Sequence, residues 1–155
     1  MDTTPDAVIR ILEQSTSFRG LAPSALRAIA YVLKRRTLDA GELVFAEGDV
    51  GDEAFFVLSG AVEITTRMAD GTELVRARVE APSLFGELAL FGSGRRTASA
   101  RAGLRTTLGA LAYGPFTELI RAWPDVAIAL LRIQTERFIE IELAYRALRA
   151  GDRAT

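Results

Sequence analysis

The sequence predicts an α+β fold, an antiparallel β-roll of the jelly-roll or barrel type with helices at both ends. Apolar residues recur with a helical period before residue 34 and after residue 112, and the stretch between consists of short β-rich runs separated by glycine turns. Regularly spaced short strands of this kind are typical of antiparallel barrels and sandwiches. We therefore expect one domain, with helices over 1–33, the roll over 34–112, further helices over 113–150 and a loose tail at 151–155.

Two short helices are predicted before the roll. In TTPDAVIRILEQ, Thr4 can cap the helix and Pro5 suits its first turn. The second helix begins at Pro23. Ala22 before it is a poor N-cap residue, so the sequence marks this helix start only weakly. An apolar stripe marks the first helix, formed by Val8, Ile9 and Leu12.

Within the roll, the strongest turn signal is ADGT at 69–72. It lies between the β-rich runs VEITTRM and ELVRARVE, and an aspartate followed by glycine between two such runs is typical of a tight hairpin. We therefore expect these two runs to pair as antiparallel strands.

The last segment carries two helical patterns. PFTELIRAW predicts a short helix that stops before Pro124, and a long helix runs from about Asp125 to Arg149 and ends at Gly151. The long helix carries an apolar stripe with a seven-residue repeat, interrupted by Gln134: Leu131, Phe138, Ile141, Tyr145 and Leu148. This stripe either packs on the roll or pairs two helices in a homodimer. We favour the dimer, because the helix extends beyond the edge of the roll that it could cover.

Composition excludes several classes of protein. The 155 residues carry a formal net charge of −1, which argues against nucleic-acid binding by bulk electrostatics. With no cysteine and no histidine, the chain lacks disulfides, the Ser-His-Asp triad and the commonest metal ligands. We therefore expect no metal site, no cofactor and no enzyme, and this includes a metal oxygenase built on a similar β-roll. The acidic N-terminus and the absence of a long apolar run predict no signal peptide and no membrane span, so we expect a cytoplasmic protein.

The stretch FGELALFGSGRRTASARA, at 85–102, carries the chemistry. Gly86 permits close backbone approach to a ligand, and GELALFG is long enough for a helical turn whose first N–H groups bind anions. Arg96 adds a charge-assisted contact to phosphate, and Thr97 adds a hydroxyl. Glu87 would repel phosphate, but its carboxylate accepts hydrogen bonds from a sugar. A ligand with one phosphate, a ribose hydroxyl and an apolar base would use all these groups.

FGELAL followed by RRTASARA resembles the phosphate-binding cassette of the cyclic nucleotide-binding domain family. That family includes the catabolite activator protein, the regulatory subunits of cyclic-nucleotide-dependent kinases and the cyclic-nucleotide-gated channels. GELVFAEGDVGDEAFFVLSGAVEI at 41–64 is similar to the family's first strands, and the helices at both ends are similar to its helical bundle. The resemblance covers about residues 10 to 149 and implies a β-roll that binds cAMP or cGMP.

The resemblance implies roles for three polar residues of the cassette. Glu87 would bind the ribose 2′-hydroxyl, and Arg96 would pair with the cyclic phosphate. Thr97 would contact the phosphate and the base, and a hydroxyl at this position leaves both cAMP and cGMP open.

The other cassette residues would shape the pocket. Gly86, with the N–H groups of Leu88 and Ala89, would line the ribose-phosphate. Phe85 and Leu88 would lie at the sugar or core side, and Ala98 would close the loop.

Two further points of the resemblance concern Arg95 and the residue that caps the base. Arg95 departs from related cassettes, which often have proline there, and we expect no loss of binding from it. The base is usually capped by a residue of the last helix, and three residues are candidates for this role: Arg132, Arg137 and Tyr145.

We therefore expect a receptor for cAMP or cGMP that signals to an unknown protein partner through movement of its C-terminal helix. The chain stops near Arg149, where DNA-binding members continue into a helix-turn-helix domain, so DNA is not an expected partner, and neither is a membrane. The alternatives are an interaction or dimerisation module that keeps the fold without the ligand, and a fragment of a larger cyclic-nucleotide-regulated protein. The presence of both Glu87 and Arg96 argues against loss of the ligand.

Overall fold

The computed structural model describes residues 4–91 and 94–151. Gly92 and Ser93 of the predicted cassette, and residues 152–155 of the predicted tail, lie outside the described residues. Within the described residues the chain forms these helices: α1 (Pro5–Gln14), α2 (Pro23–Val32), α3 (Leu88–Phe91), α4 (Tyr113–Ala122) and α5 (Pro124–Gly151). The strands are β1 (Lys34–Leu38), β2 (Leu43–Phe45), β3 (Glu53–Ser59), β4 (Ala61–Arg67), β5 (Glu73–Glu80), β6 (Ser83–Phe85), β7 (Ser99–Ala102) and β8 (Thr106–Ala112).

The strands form two four-stranded sheets, one in the order β1-β8-β3-β6 and the other in the order β2-β7-β4-β5. Every paired neighbour is antiparallel. The predicted α+β class and the antiparallel β-roll are therefore confirmed.

Strands β6 and β7 were not predicted: β6 ends at Phe85, where the stretch interpreted as a ligand-binding loop begins, and β7 lies at the end of that stretch. Both are too short to show a period of two, having three and four residues. β6 pairs with β3, and β7 pairs with both β2 and β4. The cassette is consequently anchored in both sheets, which holds its side chains over the interior of the roll.

Local sequence signals explain two of the turns and caps. Thr4 caps α1, since its hydroxyl oxygen accepts a hydrogen bond from the N–H of Ala7 at 3.4 Å, as predicted. The predicted hairpin joins β4 to β5, and Gly71 at its tip has a φ of +85°. The carboxylate of Asp70 accepts hydrogen bonds from the hydroxyl and the N–H of Thr72, and these bonds lower the pKa of Asp70 below its ordinary value.

Three phenylalanine rings pack inside the roll and lie beneath the cassette. Phe55 stacks on Phe85 with ring centroids 5.4 Å apart, and the Phe45 ring lies 5.8 Å and 6.0 Å from these two rings. Offset aromatic pairs at such distances add to the stabilisation from burial alone. The cluster gives the roll a rigid apolar interior on which charged groups of the cassette are positioned.

A second core joins the helices to the outer face of the roll. Phe18, after α1, packs edge-on against Phe56 of β3 with ring centroids 5.1 Å apart. Helices α1, α2, α4 and the first half of α5 bury their apolar stripes against this contact. α4 begins before the predicted PFTELIRAW, and α5 begins at Pro124, because proline suits the first turn of a helix.

The second half of α5 extends away from this core. The buried apolar residues of the described part of α5 all lie in its first half: Val126, Ala129, Leu130 and Ile133. The predicted seven-residue stripe is exposed instead, with exposed fractions of 65% at Leu131, 63% at Phe138, 66% at Ile141, 53% at Tyr145 and 72% at Leu148. The alternative in which this stripe packs on the roll is therefore wrong, and the favoured alternative, a homodimer, stays a prediction. Within 4–91 and 94–151, no helix combines the length and the hydropathy needed to cross a membrane.

Candidate functional site

A cavity of about 230 Å³ lies between the cassette, the hairpin of β4 and β5, and α5. Phe45 and Phe85 line it from the interior of the roll, and residues 86–89 and 95–98 of the cassette form one wall. Arg137 of α5 completes the lining. The facing wall is apolar and consists of Ile64, Ala77 and Val79.

Arg96 is almost completely buried, with 6% of its surface exposed. Its Nη1 donates to the carbonyl oxygen of Gly86 and its Nη2 to that of Glu53, both at 2.8 Å. The guanidinium carbon lies 4.0 Å from the centroid of the Phe45 ring, which is a close cation–π contact. A side chain at position 86 would place its Cβ 2.9 Å from Nη1, and the φ of +76° there also favours glycine.

Two opposed influences act on the pKa of Arg96. Burial lowers the pKa of Arg96, because desolvation disfavours the charged guanidinium. The ordinary pKa of arginine is so high that the group nevertheless keeps its positive charge at neutral pH. A buried cation of this kind favours an anionic ligand. Nearby carboxylates act in the opposite direction to burial and raise the pKa: those of Asp52, Glu53, Asp49 and Glu87.

Glu87 is the second buried charged residue at the cavity, and its side chain is 2% exposed. Its Oε1 accepts hydrogen bonds from Nη1 of Arg137, at 2.7 Å, and from Nε2 of Gln134. Arg137 also donates through Nη2 to the carbonyl oxygen of Leu84. The carboxylate therefore ties α5 to the cassette through one of its two oxygens.

One polar atom of each of these buried residues remains unpaired. Among the described residues, Oε2 of Glu87 and Nε of Arg96 are the buried side-chain atoms without a hydrogen-bond partner. Buried polar atoms are nearly always hydrogen-bonded, so each unpaired atom calls for an explanation. An acceptor and a donor are thus unsatisfied at one cavity.

All eight predicted contact residues of the cassette line this cavity. Phe85 and Ala89 are buried, whereas Leu88 and Thr97 are exposed at the rim and Ala98 is half-buried. The structure thus brings together residues that are up to thirteen positions apart in the sequence, from Phe85 to Ala98.

The loop between β2 and β3 holds the second half of the cassette. The N–H of Gly48 donates to the carbonyl oxygen of Arg96, and the N–H of Arg96 donates to that of Asp49, both at 2.8 Å. Nη1 of Arg95 donates to the carbonyl oxygen of Gly48 at 2.9 Å. These contacts were not predictable from the sequence, because the loop and the cassette are far apart along the chain.

The family model described as "Cyclic nucleotide-binding domain" matches residues 35–122, which is more than half of the chain. The chain belongs to the cyclic nucleotide-binding domain family. The resemblance seen in the cassette is therefore confirmed at the level of the family.

Relatives of this cyclic nucleotide-binding domain include regulators of several kinds. The chain is 34% identical over 131 residues to a CRP-like cAMP-activated global transcriptional regulator of Mycobacterium tuberculosis, covering 82% of this chain and 57% of the regulator. The catabolite activator protein of Thermus thermophilus superposes with a TM-score of 0.78 and 36% identity, over 86% of this chain and 63% of that one. The regulatory domain of Toxoplasma gondii PKA, crystallised with cAMP, gives a TM-score of 0.67 and 28% identity, over 74% and 44%. The chain thus spans about three fifths of the length of the Mycobacterium regulator and of the Thermus protein.

Of the three candidates for capping the base, Arg137 is the one that lies at the cavity. Its side chain lines the cavity of this cyclic nucleotide-binding domain. Arg132 is exposed and does not line the cavity, because its position on α5 faces away from the cassette. Tyr145 is also exposed and lies two turns beyond Arg137, where its hydroxyl accepts a hydrogen bond from Arg149 at 2.9 Å.

Two further features of the site were missed. In the sequence Gln134 is recognisable only as an interruption of an apolar stripe, yet its side chain donates a hydrogen bond to Glu87. Phe45 carried no signal at all, since nothing in the sequence places it under the guanidinium of Arg96.

Proposed function

We propose that this protein is a cytoplasmic receptor module that binds cAMP or cGMP in the described cavity and passes the binding event on through α5. The observation that carries the proposal is the pair of unsatisfied buried atoms, Oε2 of Glu87 and Nε of Arg96. A cyclic nucleotide supplies a partner for each, since its ribose 2′-hydroxyl donates and its phosphate accepts.

The phosphate would bind to Arg96. A guanidinium has five N–H donors, and two of those on Arg96 are used by carbonyl oxygens. Nε and the remaining Nη hydrogens can form a fork that suits a phosphate, and the cation–π contact with Phe45 holds the fork in place. Burial strengthens such a contact because water does not compete for the charge.

The base would lie against the apolar wall of β4 and β5. Ile64, Ala77 and Val79 offer contact area without hydrogen-bonding groups, so they do not distinguish adenine from guanine. The hydroxyl of Thr97 at the rim can both donate and accept, and it serves either base. The Mycobacterium relative is a cAMP-activated regulator and the Toxoplasma domain was crystallised with cAMP, which favours cAMP as the first ligand to test.

The ribose would bind to Glu87, and this assignment has a direct test. Replacing Glu87 with alanine removes the acceptor, and 2′-deoxy-cAMP removes the donor. A hydrogen bond to a charged group contributes about 1.5–3 kcal/mol, so the wild-type protein is expected to bind 2′-deoxy-cAMP about 10- to 150-fold more weakly than cAMP. In Glu87→Ala the ratio of the dissociation constants for 2′-deoxy-cAMP and cAMP is expected to fall close to one, as measured by calorimetry.

The ratio separates the ribose contact from any general damage to the variant, which would weaken both ligands equally. Circular dichroism melting of Glu87→Ala checks that the fold persists without the ion pair to Arg137. If the wild type and the variant show the same penalty for the 2′-deoxy ligand, Glu87 does not bind the ribose.

Movement of α5 would carry the signal. Arg137 and Gln134 bind the same carboxylate that the ribose would approach, so ligand binding changes the contacts that hold α5 to the cassette. A ligand shifts the equilibrium between two positions of α5 only if it binds one of them more tightly, and the shift in free energy equals that difference in binding free energy. The exposed apolar stripe of α5 supports a homodimer formed through this helix, as well as docking of a further protein partner.

Calorimetric titration of the purified chain with cAMP, cGMP and 5′-AMP tests the proposal, after denaturation and refolding to remove carried-over nucleotide. We expect micromolar or tighter binding of a cyclic nucleotide and much weaker binding of 5′-AMP, whose phosphate is not closed onto the ribose. An absence of heat with all three would refute the receptor function. The fold would then serve as an interaction module, for which the exposed stripe of α5 is the candidate surface.

A further inference from the structure

A second cavity, of about 330 Å³, lies where the turn after α1, the start of β6 and the middle of α5 meet. Residues 14–17, residues 82–84 and one side of α5 line it. Among the described residues, Arg137 is the only one that lines both this cavity and the cavity proposed to bind nucleotide. The second cavity is therefore a separate space, and the proposed function makes no use of it.

Two carboxylates belong to the part of α5 that lines the second cavity. Glu136 and Glu140 are four residues apart, so their side chains are neighbours on one side of the helix. Within the described part of the chain, neither carboxylate forms an ion pair. Like charges at this spacing destabilise a helix. A cationic ligand bound between them would remove this repulsion.

Arg137 brings a positive charge to the second cavity, but its guanidinium is bound to the cassette. Its Nη1 donates to Oε1 of Glu87 at 2.7 Å, and its Nη2 donates to the carbonyl oxygen of Leu84. The positive charge of Arg137 is thus largely matched by Glu87. The carboxylates of Glu136 and Glu140 consequently give the second cavity a negative charge, which attracts ammonium groups and repels phosphates.

The rest of the lining combines hydroxyl groups with an apolar surface. The hydroxyls of residues 15–17 and of Ser83 can accept hydrogen bonds from N–H donors. Leu84 and Ile133, with exposed fractions of 2% and 9%, supply apolar surface beside these polar groups. A ligand that suits this lining has more than one ammonium group and a short apolar chain between them.

We propose that the second cavity is a binding site for a short aliphatic diamine or polyamine. One ammonium group pairs with Glu136 and another with Glu140, and the hydroxyls accept hydrogen bonds from their remaining N–H groups. The methylene chain between the ammonium groups lies against Leu84 and Ile133, where it loses contact with water. The inference does not depend on the proposed function, because no nucleotide takes part in this binding.

NMR titration of the full chain with putrescine (1,4-diaminobutane) tests the proposal, because amide shifts report both weak binding and its location. We expect saturable shifts at residues 14–17, at Ser83 and at residues 133–140. Butylamine has the same chain length with one ammonium group, and 1,4-butanediol has none. One exposed ion pair contributes up to about fivefold in affinity. At constant ionic strength butylamine is therefore expected to bind about two- to fivefold more weakly than putrescine, and the diol to cause no saturable shift.

A pair of double variants isolates the two carboxylates. Glu136→Gln with Glu140→Gln keeps the size of both side chains and removes their charge, and the exposure of both residues protects the fold. This double variant is expected to bind putrescine about 4- to 25-fold more weakly than the wild type. The control, Glu73→Gln with Glu118→Gln, removes the same charge from exposed residues that do not line the second cavity, and it is expected to bind as the wild type does.

Three results would overturn the inference: no saturable shift with putrescine, equal affinities for putrescine and butylamine, or equal losses in the two double variants. Addition of cAMP distinguishes the two cavities. An apparent dissociation constant for putrescine that rises in proportion to the cAMP concentration would place the amine in the nucleotide cavity, which refutes the inference and leaves the proposed function standing. Saturable binding of putrescine to a chain that binds no cyclic nucleotide supports the inference and refutes the proposed function alone.

Discussion

Replacement of Arg96 with alanine is expected to abolish high-affinity binding of the cyclic nucleotide. Removing one partner of a buried charge-assisted contact costs about 2–5 kcal/mol, which corresponds to a loss in affinity of about 30-fold to several thousandfold. The large effect follows from the burial of Arg96, whose side chain is only 6% exposed and already desolvated before ligand arrives. Calorimetry with cAMP and cGMP measures the loss.

Two further variants make this result specific. Arg101 of β7 also donates to a backbone carbonyl oxygen, that of Gly41 at 2.6 Å, but it does not line the cavity. Arg101→Ala is therefore expected to leave nucleotide affinity nearly unchanged. Arg96→Lys keeps the charge but loses the planar fork, so its affinity is expected to fall between those of the wild type and Arg96→Ala. If Arg96→Ala binds as the wild type does, the phosphate lies elsewhere.

Replacement of Gly60 with alanine is expected to cause a large loss of stability. Gly60 lies between β3 and β4 with a φ of +85°, and an alanine Cβ there would come within 2.6 Å of the carbonyl oxygen of Arg105 and of Oγ1 of Thr106. The positive φ costs a non-glycine residue about 1–2 kcal/mol, and overpacking adds about 1–3 kcal/mol. The neighbouring atoms cannot easily move, because Thr106 is fully buried and its hydroxyl donates to the carbonyl oxygen of Ala61 at 2.9 Å.

Gly71 provides the matched control. It has the same φ of +85°, but a Cβ there would meet nothing within 4 Å. Gly71→Ala is therefore expected to lose only the conformational part, about 1–2 kcal/mol, while Gly60→Ala loses about 2–5 kcal/mol in the free energy of unfolding. Urea denaturation of both variants measures the difference, and equal losses would show that the contacts around Gly60 relax.

The chemistry of the cassette was predictable, because it depends on a short, ordered set of residue types. Gly86, Glu87 and Arg96 lie within twelve residues, and each provides a group that one phosphorylated sugar would need. Their meeting at one cavity follows from β6 and β7, which anchor the two halves of the stretch in the roll. Neither strand was predicted, yet the prediction of the cassette's chemical groups did not depend on them.

The surroundings of the cassette were not predictable in the same way. Phe45 and Ala77 reach the cavity from strands that are distant in the sequence, and nothing local marks them as part of a site. Likewise, Arg137 lines the cavity whereas Arg132 and Tyr145 do not, and this depends on how α5 packs against the cassette. The divisions at 1–33, 34–112 and 113–150, the expectation that DNA is not a partner and the choice between cAMP and cGMP stay predictions.

The sequence by itself determined the fold class, the chemical groups of the cassette and the apolar repeat of the last helix, because these depend on local periodicity and on residue type. Only the tertiary structure decided which groups are buried and which partners they have. In the folded chain, Nε of Arg96 and Oε2 of Glu87 are buried without a hydrogen-bond partner. Gln134, which interrupts the apolar repeat in the sequence, donates a hydrogen bond to Glu87 of the cassette in the folded chain. Burial and long-range contacts arise from packing across the whole chain, and no short stretch of sequence contains them.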